Sequence, residues 1–239
     1  LPGRPVRKML APVLSRASAS SCVIPISYAA LTENGPVPHN GIAELRFAAT
    51  EKHMTITRTQ LAIAVGLILA TALVLYGMGH PLICKCGYVK LWQFQVVSSE
   101  TSQQILDWYT PKHIIHGFLL YVLLWLLAPR ASFGTRLILA ILLEAGWEIA
   151  ENTDYLIDRY REATVTLDYY GDSVLNSVSD ILFMVVGLVL AARLPVWLTV
   201  VIAVAFEVFT GLMIRDGLAL NVLMLLWPSE KVLQWQNSR

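Results

Sequence analysis

The sequence predicts an all-α integral membrane protein: a transmembrane helical bundle of about five spans with a short C-terminal interfacial or re-entrant helix. Three observations lead there. Of 239 residues, 56% are hydrophobic and 15% charged, and the mean hydropathy of +0.57 is high for a soluble domain. The apolar residues gather into five runs, 61–78, 114–128, 137–149, 181–194 and 196–214. A bilayer needs roughly 20 helical residues, and three of the runs reach that length only by extending into polar sequence at one end.

Residues 1–53 carry scattered Pro, Ser, Ala and Arg and no sustained helical or strand period. We read them as a non-native or disordered N-terminal extension, either an over-extended start ahead of Met54 or a disordered or transit segment. Residues 54–239 form the integral membrane domain. Met54-Thr-Ile-Thr-Arg58 is the short polar lead that usually precedes the first helix of a bacterial inner-membrane protein. Removing 1–53 takes away six Lys and Arg and three acids, which moves the formal balance from +1 to −2. Nothing in that balance suggests nucleic acid as a partner. Cysteine is sparse, with Cys22 in the leader and Cys84-Lys85-Cys86 after the first run. Two thiols supply at most two of the four ligands of a structural zinc. The pair reads either as two small residues in a tight loop ended by Gly87 or as a metal or redox element.

The second run is punctuated by Thr110 as an N-cap, Pro111 at the first helical position and Pro129 as a stop. Its first turns hold Lys112, His113 and His116. The third run carries Glu144, Glu148 and Glu151 at spacings of four and three, which on a helix share one face with Asn152 following. Acids at membrane depth cost roughly 2.5 to 3.5 kcal/mol each on insertion scales, so they face a bundle interior, water, a metal or a partner. The fourth run opens with Asp172, Asn176 and Asp180, again one stripe at a spacing of four. Arg193-Leu-Pro195 leaves little room for a loop and predicts an antiparallel hairpin with the fifth run. That run holds Glu207 at its middle. Residues 218–227 are too short to cross and lie in the interface or re-enter, with Trp227 and Pro228 near the headgroups.

Alternating topology places the start of helix two, the end of helix three, the start of helix four and the end of helix five on one side. The unusual polar groups therefore converge in one vestibule, roofed by 80–112 and 153–171. With Arg58 flanking the first helix, the N-terminus is placed in the cytoplasm and the polar side outward, although raw Lys and Arg counting favours the reverse. Membrane lipids are the surrounding partners. A lipid-linked or small polar envelope substrate is the expected ligand, and oligomeric state is not readable.

Three chemistries fit such a vestibule. In the first, Glu144, Glu148, Glu151, His116 and Asp172 act catalytically on a headgroup or envelope metabolite, with Lys112, His113, Asn152, Asn176 and Asp180 binding it. That action is direct or runs through a divalent metal ion held by His113, His116 and Glu148. In the second, the protein is an ion-coupled transporter with Glu207 in its path, although no inverted repeat is visible. In the third it is a structural scaffold whose polar groups pair across helices. Such pairs average only about 0.6 kcal/mol, too little to explain gathering so many on one side.

The motifs Ile83-Cys-Lys-Cys-Gly87, Asp107-Trp-Tyr-Thr-Pro-Lys-His-Ile-Ile-His116, Glu144-Ala-Gly-Trp-Glu-Ile-Ala-Glu-Asn152, Asp168-Tyr-Tyr-Gly-Asp-Ser173, Asn176-Ser-Val-Ser-Asp180 and Ile214-Arg-Asp216 occur in that order. Together they resemble an uncharacterised family of bacterial multi-pass inner-membrane proteins over about 54–235. The resemblance implies location and helical fold, and supplies no reaction. A looser likeness is to VanZ-like membrane proteins, whose pattern Lys112-His113, Glu144 or Glu148, and Asp172 with Asn176 would match. His116, the further glutamates and the Cys-x-Cys pair depart from it. Phosphate-loop, dinucleotide-glycine and nucleophile-elbow patterns are absent from the sequence. After Met54 only His80, His113 and His116 remain, too few for a histidine-rich di-iron site.

Overall fold

The computed structural model describes residues 54–96, 98–163 and 169–238. The expectations for 1–53, Cys22, Asp168 and the middle of the 153–171 roof lie outside these residues. The regular elements of the described chain are all helices: α1 Arg58–Gly77, α2 Thr110–Leu127, α3 Phe133–Glu151, α4 Asp154–Ala163, α5 Val174–Arg193, α6 Val196–Ile214, α7 Leu218–Leu226 and α8 Glu230–Asn237. Trp92 and Leu106 form an isolated bridge, and no strand occurs among the described residues.

Four of these helices, α1, α2, α5 and α6, are long and apolar enough to cross a membrane. The expected count was five. The remaining long helix, α3, has 19 residues but carries Arg136, Glu144, Glu148 and Glu151, and those charges remove it from any purely apolar criterion. All four side chains are buried, so the charge that disguises α3 points into the bundle.

The starts of α1, α3 and α5 are set by side-chain caps, which typically contribute about 1 kcal/mol each. Thr57 and Gln60 make a reciprocal capping box at α1. Ser132 caps α3 through the Thr135 amide, and Ser173 caps α5 through the Asn176 amide. Two boundaries correct the sequence reading. Tyr109, not Thr110, is the N-cap of α2, because Thr110 turns its hydroxyl back to accept the Asp107 amide. Asp172 precedes α5, whose helix begins two residues later. Only Leu194 and Pro195 separate α5 from α6, as the hairpin reading requires.

Helices α2, α3 and α5 form the centre, where Phe118, Tyr121, Leu137, Ile141, Ile181, Met184 and Leu188 share one apolar core. The α2–α5 crossing is backbone to backbone. A Cβ on Gly117 would fall 2.2 Å from the Met184 carbonyl oxygen, and one on Gly187 would fall 2.1 Å from that of Ile114. Small residues let helices approach this closely in apolar surroundings. By contrast α1 and α6 bury few residues, and α6 exposes Val200, Val204, Val208 and Leu212 in one stripe. Contiguous apolar faces of this kind suit lipid rather than water.

The 80–109 connection lies over the start of α5. Carbonyls of Pro81, Leu82 and Ser102 accept the amides of Val174, Leu175 and Ser173, satisfying donors that a helix start otherwise leaves open. Cys84 and Cys86 form a disulfide with Cα atoms 5.1 Å apart. Two elements were not anticipated. Helix α4 buries Ile157 and Tyr160 and ties to α7 through Arg159, which donates to the Leu225 carbonyl at 3.1 Å. Helix α8 is held by Gln236, which donates to the Arg215 carbonyl.

Candidate functional site

The i, i+4, i+7 stripe of α3 aims Glu144, Glu148 and Glu151 at α2 and α5. Glu144 Oε1 accepts from the Nδ1 atoms of both His113, at 2.8 Å, and His116, at 2.9 Å. An ionised carboxylate only accepts, so each ring carries its proton on Nδ1, and in neutral imidazole Nε2 keeps a lone pair. His113 Nε2 faces Asp180 Oδ2 at 3.5 Å, and its Nδ1 lies 3.6 Å from Glu148 Oε1. Glu148 is 0% exposed. Among the described residues neither of its carboxylate oxygens has a hydrogen-bond partner, and Asp180 Oδ1 also lacks one. The rings of His113 and His116 stack edge to face, and Trp147 closes on His116 in the same manner.

One turn toward the helix ends, Lys112 pairs with Glu151 at 3.1 Å, both side chains being largely buried. Beyond it Asn152 bridges α3 to the α5 entry: its Nδ2 donates to Asp172 Oδ2 at 3.0 Å, and its Oδ1 accepts the Asp172 amide. Tyr169 also donates to Asp172. Burial, reinforced by the Glu151 carboxylate, pushes the Asp172 carboxyl up to about 7.

The structure thus brings together His113, His116, Glu144, Glu148 and Asp180, with Lys112–Glu151 and Asn152–Asp172 beside them. Asn176 stands apart, donating to the Gln104 carbonyl at 2.9 Å. The expected metal set of His113, His116 and Glu148 is divided. His116 groups with His113 and Glu144, whereas Glu148 groups with His113 and Asp180, because Glu144 lies between the two imidazoles. Glu207 does not join the cluster. Its carboxylate accepts the Leu218 and Ala219 amides at 2.8 and 3.0 Å and so caps α7 from a neighbouring helix.

Two cavities adjoin these groups. One of about 260 Å³ is walled mostly by Leu119, Leu120, Leu143, Leu218, Val222 and Trp147 and has Lys112, His116, Glu144 and Asn221 at its polar positions. A second, of about 20 Å³, lies among Tyr109, Lys112, Glu151, Tyr160 and Asn221, which is room for about one water.

Several site-forming residues escaped sequence reasoning. His80 bridges the Asp172 and Asn152 carbonyls at 3.1 and 3.0 Å, with Gly171 at φ +89° packed against its ring. Gln103 donates to the Gly171 carbonyl. Asn221 accepts from Tyr160 and borders both cavities. Its signal was a lone amide within the apolar stretch 218–226, where a polar group needs a partner.

A family profile described as "Protein of unknown function (DUF2585)" matches residues 75–238, a span that contains every residue of the cluster. The chain is 63% identical to a UPF0314 protein of Paracoccus denitrificans over 169 residues, covering 71% of this chain and 88% of that protein. It is 54% identical to a UPF0314 protein of Agrobacterium fabrum over 176 residues, covering 74% and 89%. Against a UPF0314 protein of Novosphingobium aromaticivorans the identity is 51% over 178 residues, covering 72% and 90%. No solved structure matches the chain.

Proposed function

Because the chain belongs to the DUF2585 family, whose function is unknown, we propose from its geometry a multi-pass bacterial inner-membrane protein that binds, and acts on, the polar end of a lipid or small envelope metabolite. In this reading α3 is a fifth crossing helix whose charges are compensated inside the bundle. The relationship to VanZ-like proteins belongs to the same proposal, supported by the His113–Glu144 hydrogen bond and by Lys112 and Glu144 lining one cavity, and weakened by the separate position of Asn176.

The observation that carries it is the 260 Å³ cavity, apolar on its sides and charged where Lys112, His116 and Glu144 reach it. Its volume lies just under the range of about 300–1,000 Å³ for small-molecule sites, so it suits a headgroup better than a whole lipid. Lys112 supplies a cation for an anionic group. His116, oriented through Nδ1 by Glu144, is positioned to exchange a proton with the ligand through Nε2. The scaffold alternative requires the buried acids to be paired, and the unpartnered oxygens of Glu148 count against it. The transport alternative loses its main residue, since Glu207 is occupied in capping α7.

Detergent-purified protein analysed by mass spectrometry is expected to carry a polar lipid or metabolite. His116→Ala and Glu144→Gln should retain about 10- to 100-fold less of it, corresponding to the loss of one charge-assisted hydrogen bond. Equal retention by wild type and both variants would overturn the reading.

A further inference from the structure

The cavity residues leave a neighbouring set of groups without a role. Its lining reaches Glu144 and His116 and does not include His113, Glu148 or Asp180. One ligand atom from each of these three buried residues lies within 4.8 Å of the others. His113 Nδ1 is committed as a donor to Glu144 and has Glu148 Oε1 3.6 Å away, while the Nε2 lone pair of the neutral ring faces Asp180 Oδ2 at 3.5 Å. That is too long for a strong hydrogen bond. It is close to the separation of about 3.4 Å expected for two donors bound to one tetrahedral ion at about 2.1 Å each. Among the described residues Glu148 is fully buried with both oxygens unpartnered, and Asp180 Oδ1 is unpartnered as well. Two such carboxylates beside one imidazole are stabilised either by a shared proton or by a cation held between them.

We propose that His113, Glu148 and Asp180 bind one divalent transition-metal ion of the zinc class. Glu144 is the positioning residue, holding the far side of the His113 ring as metal-binding histidines are usually held. One imidazole and two carboxylates suit a borderline-to-hard divalent ion and not a thiophilic one. Three protein ligands leave a coordination position for water or a ligand atom. The inference stands on the cluster itself and does not depend on what the cavity holds.

The test uses full-length protein without a polyhistidine tag, purified in detergent, with metal measured by mass spectrometry. Chelator-stripped protein is then titrated with Co²⁺ and followed by its visible absorption. The expected result is about one equivalent per chain, with a tetrahedral-type cobalt spectrum. Asp180→Asn and Glu148→Gln should each lose saturable binding. Glu144→Gln should weaken it about 10- to 100-fold, and Glu207→Gln, outside the cluster, should bind as wild type. Circular dichroism and size exclusion identify variants that remain folded, and metal content of the unmodified chain decides the question if a variant does not. A folded wild type that shows neither retained metal nor a cobalt band would overturn the assignment, as would undiminished binding by folded Asp180→Asn. Because no lipid or turnover enters this measurement, its failure is distinguishable from failure of headgroup binding.

Discussion

Gly117→Val is expected to prevent assembly of the bundle, and Gly117→Ala to lower its melting temperature sharply. The added Cβ would sit 2.2 Å from the Met184 carbonyl oxygen and 2.5 Å from the Leu188 amide nitrogen. Both are backbone atoms that cannot rotate away. Relief requires α2 and α5 to separate, and that separation would open the interface on which Phe118, Tyr121, Met184 and Leu188 pack. Overpacking ordinarily costs about 1–3 kcal/mol, with backbone clashes at or above the upper end. Gly146 and Gly211 provide internal controls, since a Cβ at either meets nothing within 4 Å among the described residues. Alanine there should be neutral or stabilise by up to about 1 kcal/mol through helix propensity. Thermal denaturation monitored by fluorescence size exclusion would compare the four variants. Equal melting of Gly117→Ala and Gly146→Ala would show that the crossing is not as close as described.

The second large effect is expected at Lys112. Its ammonium lies 3.1 Å from Glu151 Oε1 with both side chains mostly buried, and no other Lys or Arg side chain is paired with the α3 glutamates among the described residues. Lys112→Met leaves the Glu151 carboxylate buried beside Asp172, Glu148 and Asp180 without its counter-ion. Removing one partner of a buried pair typically costs about 3–5 kcal/mol, whereas removing both can be close to neutral. The double variant Lys112→Met with Glu151→Gln should therefore recover most of the stability that Lys112→Met loses. A single variant as stable as the double would mean that the pair is solvated and that this end of the bundle is wetter than its burial indicates. Ligand retention should fall in both variants, because Lys112 also lines the cavity.

Much of the arrangement was legible because helical spacing acts locally. Glu144, Glu148 and Glu151 share a face whatever packs against them, and alternating topology alone brings that face to the starts of α2 and α5. The pairing within the cluster was not legible. Whether His116 or Asp180 sits beside Glu148 depends on how α2 and α5 are rotated about their axes, and the Gly117–Gly187 crossing that constrains both is a packing fact with no periodic signature. The sequence reading counts α3 among the five spans, whereas apolar length alone leaves it out because its buried charges offset its hydrophobic residues. Helices α4 and α8 are short and largely polar, so few residues carry their periodicity. The contributions of His80, Gln103 and Gln104 are long-range contacts to residues about 70 to 90 positions away in sequence, and no local pattern encodes them. Glu207, an acid in an apolar run that reads as a candidate for an ion path, accepts the open amides of a following helix.

In the proposed function the polar ends of α2, α3 and α5 enclose a ligand-binding site within an otherwise apolar bundle. An experimental structure of the chain in lipid nanodiscs, stabilised by a bound antibody fragment, tests it most directly. The expected result is density for a polar group within hydrogen-bonding reach of Lys112, His116 or Asn221, with Glu144 bridging both imidazoles. A structure in which His116 and Glu144 face acyl chains, or in which α3 turns Glu148 away from α2 and α5, would contradict it.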